Sequence, residues 1–217
     1  DRNKNSGKNR RFHLCRTSER LNQMALRSAL INVIFNAASK AARRMVRDFG
    51  EVENLQVSRK GAADFVSQAD LSAEQTLINE LQIGRPGWNI ISEEKGKIRG
   101  KLIDAPTWII DPLDGTTNFL HGIPHFAISI AVLENKKLTA AGILDPLKDE
   151  FFFAEHGKGA YLNDRRIRVS GRKQVETALF ATGIPFMGKT TPEKELVFIN
   201  QLLSLIHISE PTRRWSI

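Results

Sequence analysis

Cysteine is nearly absent from this chain: of its 217 residues only Cys15 carries a thiol. An internal disulfide is therefore excluded, and the lone cysteine agrees with a reducing, cytoplasmic setting. Long apolar runs are missing too. None approaches the roughly 18 residues of a membrane span, so no membrane partner is expected. Internal repeats and low-complexity linkers are also lacking. What is present is ordinary for an α/β protein, 41% hydrophobic and 26% charged with 15 glycines. The length suffices for a real core, as one large domain or two small ones.

Acidic residues are outnumbered, giving a net charge of +8. Such an excess invites a nucleic-acid partner, but its location argues against one. Residues 1–23 hold seven Lys/Arg against Asp1 and Glu19, a local +5, and 205–217 hold Arg213 and Arg214 against Glu210, a local +1. Only +2 is left for 24–204. A nucleic-acid partner is not expected.

Neither end reads like the middle. Residues 1–23 are basic and without periodicity, and are expected to be a non-native or disordered extension, with a basic targeting arm as the alternative. Met24 reads as the natural start. Ser204-Leu-Ile-His-Ile-Ser-Glu-Pro-Thr-Arg-Arg214 resembles a translated sequencing adaptor, so 205–217 is expected to be a foreign tail. His207 within it is not expected to bind anything.

Between the ends, the spacing of Leu26, Leu30, Val33, Ile34, Ala37, Ala41, Met45 and Phe49 predicts an amphipathic helix over 25–49. Arg27, Lys40, Arg43, Arg44 and Arg47 fall mostly elsewhere, and Gly50 is placed to stop the helix. Asp70 is placed to cap a second helix over 71–81. Apolar runs at 126–133 and 138–144, joined by Glu134-Asn-Lys-Lys137, predict a hairpin. Shorter strands are expected at 150–155, 160–162, 167–169 and 178–182. Pro192, with Thr191 as cap, opens a last helix reaching about residue 203. Helices first and then many short strands describe an α+β or mixed α/β layered fold.

The most informative stretch is Trp108-Ile-Ile-Asp-Pro-Leu-Asp-Gly-Thr-Thr-Asn-Phe119. It reads as a buried strand that runs into Asp111 and Asp114 and turns at Gly115 into a helix. Two carboxylates at a strand end suit a hard cation, which prefers oxygen ligands. Gly115-Thr116-Thr117 offers backbone N–H groups at a helix start, where phosphate binds readily. A second acidic signal, Ile90-Ile-Ser-Glu93-Glu94-Lys-Gly96, delivers a further carboxylate from upstream. Crowding such acids without a cation is repulsive. His121 and His125 lie close in sequence, but an oxygen site fits better than a transition-metal one.

Together the two segments resemble the inositol monophosphatase family, among the lithium-sensitive, magnesium-dependent sugar phosphatases. The resemblance runs from about Met24 to Leu203. It includes Lys60–Asp70 and Gly157–Asn163, although Asp164 stands where a glycine is common. It implies a five-layer αβαβα sandwich, here with its second half incomplete. It also implies a Mg2+-dependent phosphomonoesterase that hydrolyses inositol monophosphate or a similar sugar phosphate with a metal-activated water. Glu93, Asp111 and the Leu113 carbonyl would hold one metal, and Asp111 and Asp114 would share another. Glu93 and Thr116 would orient and deprotonate the water, while Asp114, Gly115 and Thr116 would contact substrate. Asp70, Glu94, Lys60 and Asp64 would stand behind them.

By the same resemblance the complete protein is expected to be a homodimer. Sibling activities are fructose-bisphosphatase and bisphosphate nucleotidase. A different class is a binding role, since some bacterial relatives associate with the transcription machinery; Lys40, Arg43, Arg44 and Arg47 are the cluster to test. A third outcome is a misassembled reading frame with an unstable fold. Family enzymes take a further aspartate from a Trp-Asp-x-Ala-type segment, and nothing after Leu203 resembles it. The 217-residue chain is therefore expected to be inactive or severely impaired.

Overall fold

The computed structural model describes residues 27–55, 59–163 and 165–174, with isolated positions 197 and 200. The expected extension 1–23, strand 178–182 and tail 205–217 lie outside them. Of the expected last helix, only 197 and 200 are described, both helical. The elements up to Ile167 form one compact unit; a second begins at Arg168.

Helix α1 spans Ala29–Leu55 and α2 spans Arg59–Gly84. The Ser28 hydroxyl accepts the Ile31 backbone N–H at 3.2 Å and caps α1. Its buried stripe contains the expected Ile34, Ala37, Ala41 and Met45 and adds Ile31, Ala38 and Val52. The helix passes through Gly50 instead of stopping there. Glycine costs about 1 kcal/mol in a helix interior, whereas full burial of a valine returns about 1.5–3 kcal/mol. Val52, fully buried one turn's reach beyond, decides the matter. Arg27, expected away from the core, is buried instead, its guanidinium 4.1 Å from the Phe35 ring centroid.

Asp70 does not cap a helix. It lies inside α2, because Val66 and Ala69 extend the stripe of Ala73, Leu77, Ile78 and Leu81 toward the N-terminus at helical spacing.

The strands are β1 (Asn89–Ser92), β2 (Gly96–Ile98), β3 (Thr107–Asp114), β4 (Ala127–Glu134), β5 (Lys137–Asp145), β6 (Glu150–Glu155), β7 (Gly159–Leu162) and β8 (Arg165–Ile167). They form one sheet in the order β2-β1-β3-β4-β5-β6-β7-β8. Only β1 and β3 run parallel; the other neighbours are antiparallel. The expected hairpin closes at Asn135 and Lys136, both with positive φ (50° and 62°), as a two-residue turn with the strands' own twist requires. The edge strand β2 has no counterpart among the expected elements.

Both long helices pack against the sheet, over Trp108, Ile110, Ile128, Ile130 and Val132. Helix α1 comes closest at Gly142, where an added Cβ would lie 2.7 Å from an Ile34 methyl and 2.8 Å from the Phe151 ring. Among the described residues, no helix is long and apolar enough to cross a membrane.

Candidate functional site

Strand β3 ends in a bulge that sets the site's geometry. Asp111 pairs with Ser129 and Asp114 with Ala127, so three steps on β3 match two on β4. In a regular strand, residues three apart face opposite sides. The extra residue cancels that alternation. Pro112 and Leu113 are both buried toward the helices, while Asp111 and Asp114 emerge together on the other side. Pro112 suits a bulge, since it has no N–H to offer the ladder. The Asp111 carboxylate accepts the Leu113 backbone N–H at 3.1 Å and braces the turn.

Beyond Asp114 the chain reverses through Gly115 (φ 97°), a conformation that favours glycine. An added Cβ there would meet the His125 carbonyl at 3.1 Å and Phe126 at 3.3 Å. Gly115 starts the short helix α3 (Thr116–Leu120), and no side chain caps that start. The Thr116 hydroxyl donates to the Leu113 carbonyl at 2.9 Å. Phe119, fully buried, anchors α3 by packing on Phe49 and Phe126 at centroid distances of 5.4 and 4.9 Å. Asn118 donates to the His125 carbonyl at 2.7 Å and closes the following loop.

Glu93 arrives from the neighbouring strand. Ser92 of β1 stands opposite Ile110 of β3 in the parallel pair. One residue further, Glu93 and Asp111 are neighbours at the carboxyl ends of adjacent parallel strands, where α/β sheets place their ligands. Burial first, then the Glu93 and Asp114 charges, push the Asp111 carboxyl up from 3.8 to about 6. A hydrogen bond shared with Glu93 adds to the rise, and the Leu113 N–H opposes it.

Helix α2 supplies the remaining acids. Asp70 is 8% exposed, and burial followed by Glu94, Asp111, Glu93 and Glu74 pushes it up to about 7. Its buried Oδ1 has no hydrogen-bond partner among the described residues. Glu74, fully buried, went unnoticed in the sequence. Its only signal was an acid on the apolar stripe, four residues after Asp70. Of the other expected site residues, Glu94 is exposed and acts on Asp70. Lys60 and Asp64 lie within α2, their side chains outside the described residues. His121 and His125 are exposed.

Among the described residues, no three His, Cys, Asp or Glu side chains are gathered in ion-holding geometry. The donors nevertheless fit a divalent cation in kind. They are oxygen-only, crowded enough to raise two of their own pKa values, and they include a buried oxygen without a partner. A cation among them would relieve all three conditions.

Comparison with known proteins agrees. Residues 26–210 match the model of the inositol monophosphatase family. Over 177 residues, 82% of this chain and 66% of the relative, the chain is 50% identical to an inositol-1-monophosphatase of Rhizobium meliloti. It is 41% identical to a Nus factor SuhB of Pseudomonas aeruginosa, over 85% of this chain and 68% of that one. The crystal structure of the extragenic suppressor protein suhB from Bartonella henselae superposes with a TM-score of 0.73 at 48% identity, covering 82% of this chain and 68% of that one. The chain thus spans about two thirds of the length of the curated relatives it matches. Its mixed sheet and helices are those of the same layered sandwich.

Proposed function

The chain belongs to the inositol monophosphatase family, and from that premise we propose that it carries the acid cluster of a Mg2+-dependent phosphomonoesterase acting on inositol monophosphate or a similar sugar phosphate. The observation that carries this reading is the bulge at Pro112–Leu113, which turns Asp111 and Asp114 to one side next to Glu93. The side chains of Glu93, Asp111 and Asp114 and the Leu113 carbonyl would hold the ions. Bound there, Mg2+ neutralises charge on the phosphoryl oxygens and lowers the pKa of water at the site.

The chain's own residues supply the rest. Thr116 spends its proton on the Leu113 carbonyl, so its oxygen is left to accept from an incoming water. Glu93 takes the second part of that task and receives the proton as water attacks phosphorus. The Gly115 and Thr116 amides fit phosphate oxygens, with the partial charge of the turn in their favour. Asp114 lies on the substrate side. Asp70 and Glu94 add negative charge behind the pair and favour cation uptake, with Lys60 and Asp64 further along α2.

The test measures phosphate release with and without Mg2+ from inositol monophosphate, fructose 1,6-bisphosphate and a 3′,5′-bisphosphate nucleotide. Both the chain and a version completed with the remaining third of the Rhizobium relative are assayed. The completed protein is expected to prefer inositol monophosphate and to stop when Mg2+ is chelated. Turnover without metal, or faster turnover of another substrate in the panel, overturns the reading.

The Nus factor names of several relatives favour a second reading, a nucleic-acid or protein-binding role. Lys40, Arg43, Arg44 and Arg47 are exposed on α1, yet Lys40 is paired with Glu80 and Arg44 with Asp48. RNA binding that survives removal of residues 1–23, and weakens steeply with salt, would support it.

A further inference from the structure

Helix α2 buries one carboxylate for which the reading above has no use. Glu74 has no exposed surface and reaches the turn between β1 and β2. Its Oε1 accepts the Ser92 hydroxyl and the Lys95 backbone N–H at 2.9 Å. The Lys95 ammonium lies 3.5 Å from Oε2. Ser92 and Lys95 are the residues on either side of Glu93-Glu94, so one side chain grips both flanks of the pair.

A plain structural tie would explain some of this, since a buried turn needs its N–H groups satisfied. It does not explain the choice of an acid. Burying a charge is costly unless the pairing is close, and a neutral amide would satisfy the same donors at lower cost. Here the pairing with Lys95 is loose, and Oε2 has no hydrogen-bond partner among the described residues. The charge also lies among Asp70, Asp111 and Glu93, where it is repelled. Stability alone does not favour a glutamate at this position; control of the turn does.

We propose that Glu74 is the positioning residue for Glu93: by fixing Ser92 and Lys95 it aims the Glu93 carboxyl at Asp111 and sets the spacing of the ion-holding oxygens. This inference rests on the proposed role of Glu93 and Asp111. The turn is then not a passive loop. Its shape is dictated by a helix residue nineteen positions upstream, and loss of that residue leaves Glu93 present but misplaced.

The experiment uses the full 217-residue chain, with Mn2+ as the probe ion in calorimetric titrations and amide hydrogen exchange at Lys95 as a readout independent of metal. Glu74→Ala is expected to weaken Mn2+ binding at least tenfold and to speed Lys95 exchange at least tenfold. Glu74→Gln keeps an acceptor oxygen of the same shape and is expected to stay within about threefold of the parent on both. Leu77→Ala, fully buried one turn along, is expected to lower the melting temperature and leave Mn2+ affinity within about threefold. In a Glu93→Gln background, Glu74→Ala is expected to cost Mn2+ binding nothing further, because the two act as one unit.

Parental Mn2+ affinity and Lys95 protection in Glu74→Ala would overturn the proposal. So would a Leu77→Ala loss of Mn2+ binding equal to that of Glu74→Ala, which would mark general loosening. If Glu74→Ala does not fold, Ser92→Ala takes its place; about a threefold loss of affinity is expected, and no loss counts against the proposal. A parent chain that binds no Mn2+ defeats the ion-holding reading itself, while Lys95 exchange still decides whether Glu74 fixes the turn.

Discussion

Glu93 and Asp111 stand one step beyond the last paired residues of two parallel strands, and their carboxyl groups share a hydrogen bond. Two acids in that relation share a proton or a cation, and which of the two depends on pH and on the ions supplied.

The first prediction is a pH dependence of stability. Asp70 and Asp111 titrate near 7 and 6 in the folded chain and near 3.9 when unfolded. Between about pH 4 and 7 the folded state therefore binds more protons, so stability falls as pH rises. Asp145 and Glu155 are shifted downward, and their stabilisation is lost only as pH falls below the ordinary carboxylate range, outside this window. Without divalent ions the chain should melt at a higher temperature at pH 5 than at pH 7.5. A shift of about 2–4 °C corresponds to roughly 1 kcal/mol in a domain of this size. Added Mg2+ should raise the melting temperature more at pH 7.5 than at pH 5. Calorimetric scans at the two pH values, with and without Mg2+, decide both points.

Removing one charge tests the same crowding from another side. Asp111→Asn keeps the Oδ1 that accepts the Leu113 N–H and removes the repulsion with Glu93 and Asp114. Metal-free, the variant should melt about 2–4 °C higher at pH 7.5. Its Mg2+ affinity should fall at least tenfold. A lower melting temperature would mean that the carboxylate stabilises the bulge by more than its hydrogen bond.

A third prediction concerns the turn behind the acids. Gly115→Ala puts a Cβ on a backbone at φ 97°, 3.1 Å from the His125 carbonyl. Strain and contact together should cost about 1–3 kcal/mol, read as a lower urea midpoint with an unchanged slope. Gly157→Ala is the control. Its φ is similarly positive at 77°, but nothing lies within 4 Å of the added carbon. It should cost less, and the difference isolates the contact.

The strands and α1 were legible in the sequence because their apolar spacing coincides with burial, as at Ile128, Ile130 and Val132. Three features were not. The start of α2 was hidden because Asp70, with its short polar side chain, reads as a cap wherever it precedes an apolar run. Gly50 reads as a stop, and the pull of Val52 becomes visible only when the core is assembled. The bulge gave no periodic signal, since one extra residue at Pro112 breaks the alternation by which strands are recognised. The acids themselves were legible as a motif. That Asp111 and Asp114 point to one side was not, for it follows from pairing with Ser129 and Ala127 on another strand. Glu74 escaped for a related reason: its partners Ser92 and Lys95 lie about twenty residues away.

The last prediction follows from how α3 is held. Five residues cannot form a stable helix alone, so the turn at Gly115–Thr116 keeps its shape through Phe119 and its ring contacts with Phe49 and Phe126. Phe119→Ala should cost about 3–5 kcal/mol, as removal of a fully buried ring does. Phe152→Ala, on a strand and only half-buried, should cost less. If α3 depends on the ring and the acids do not, hydrogen exchange in Phe119→Ala should speed up at 116–121 and remain near parental at Ile109 and Ile110, inside the β1–β3–β4 ladder. Equal acceleration at both places would mean that Phe119 supports the whole sheet edge and not the phosphate turn alone.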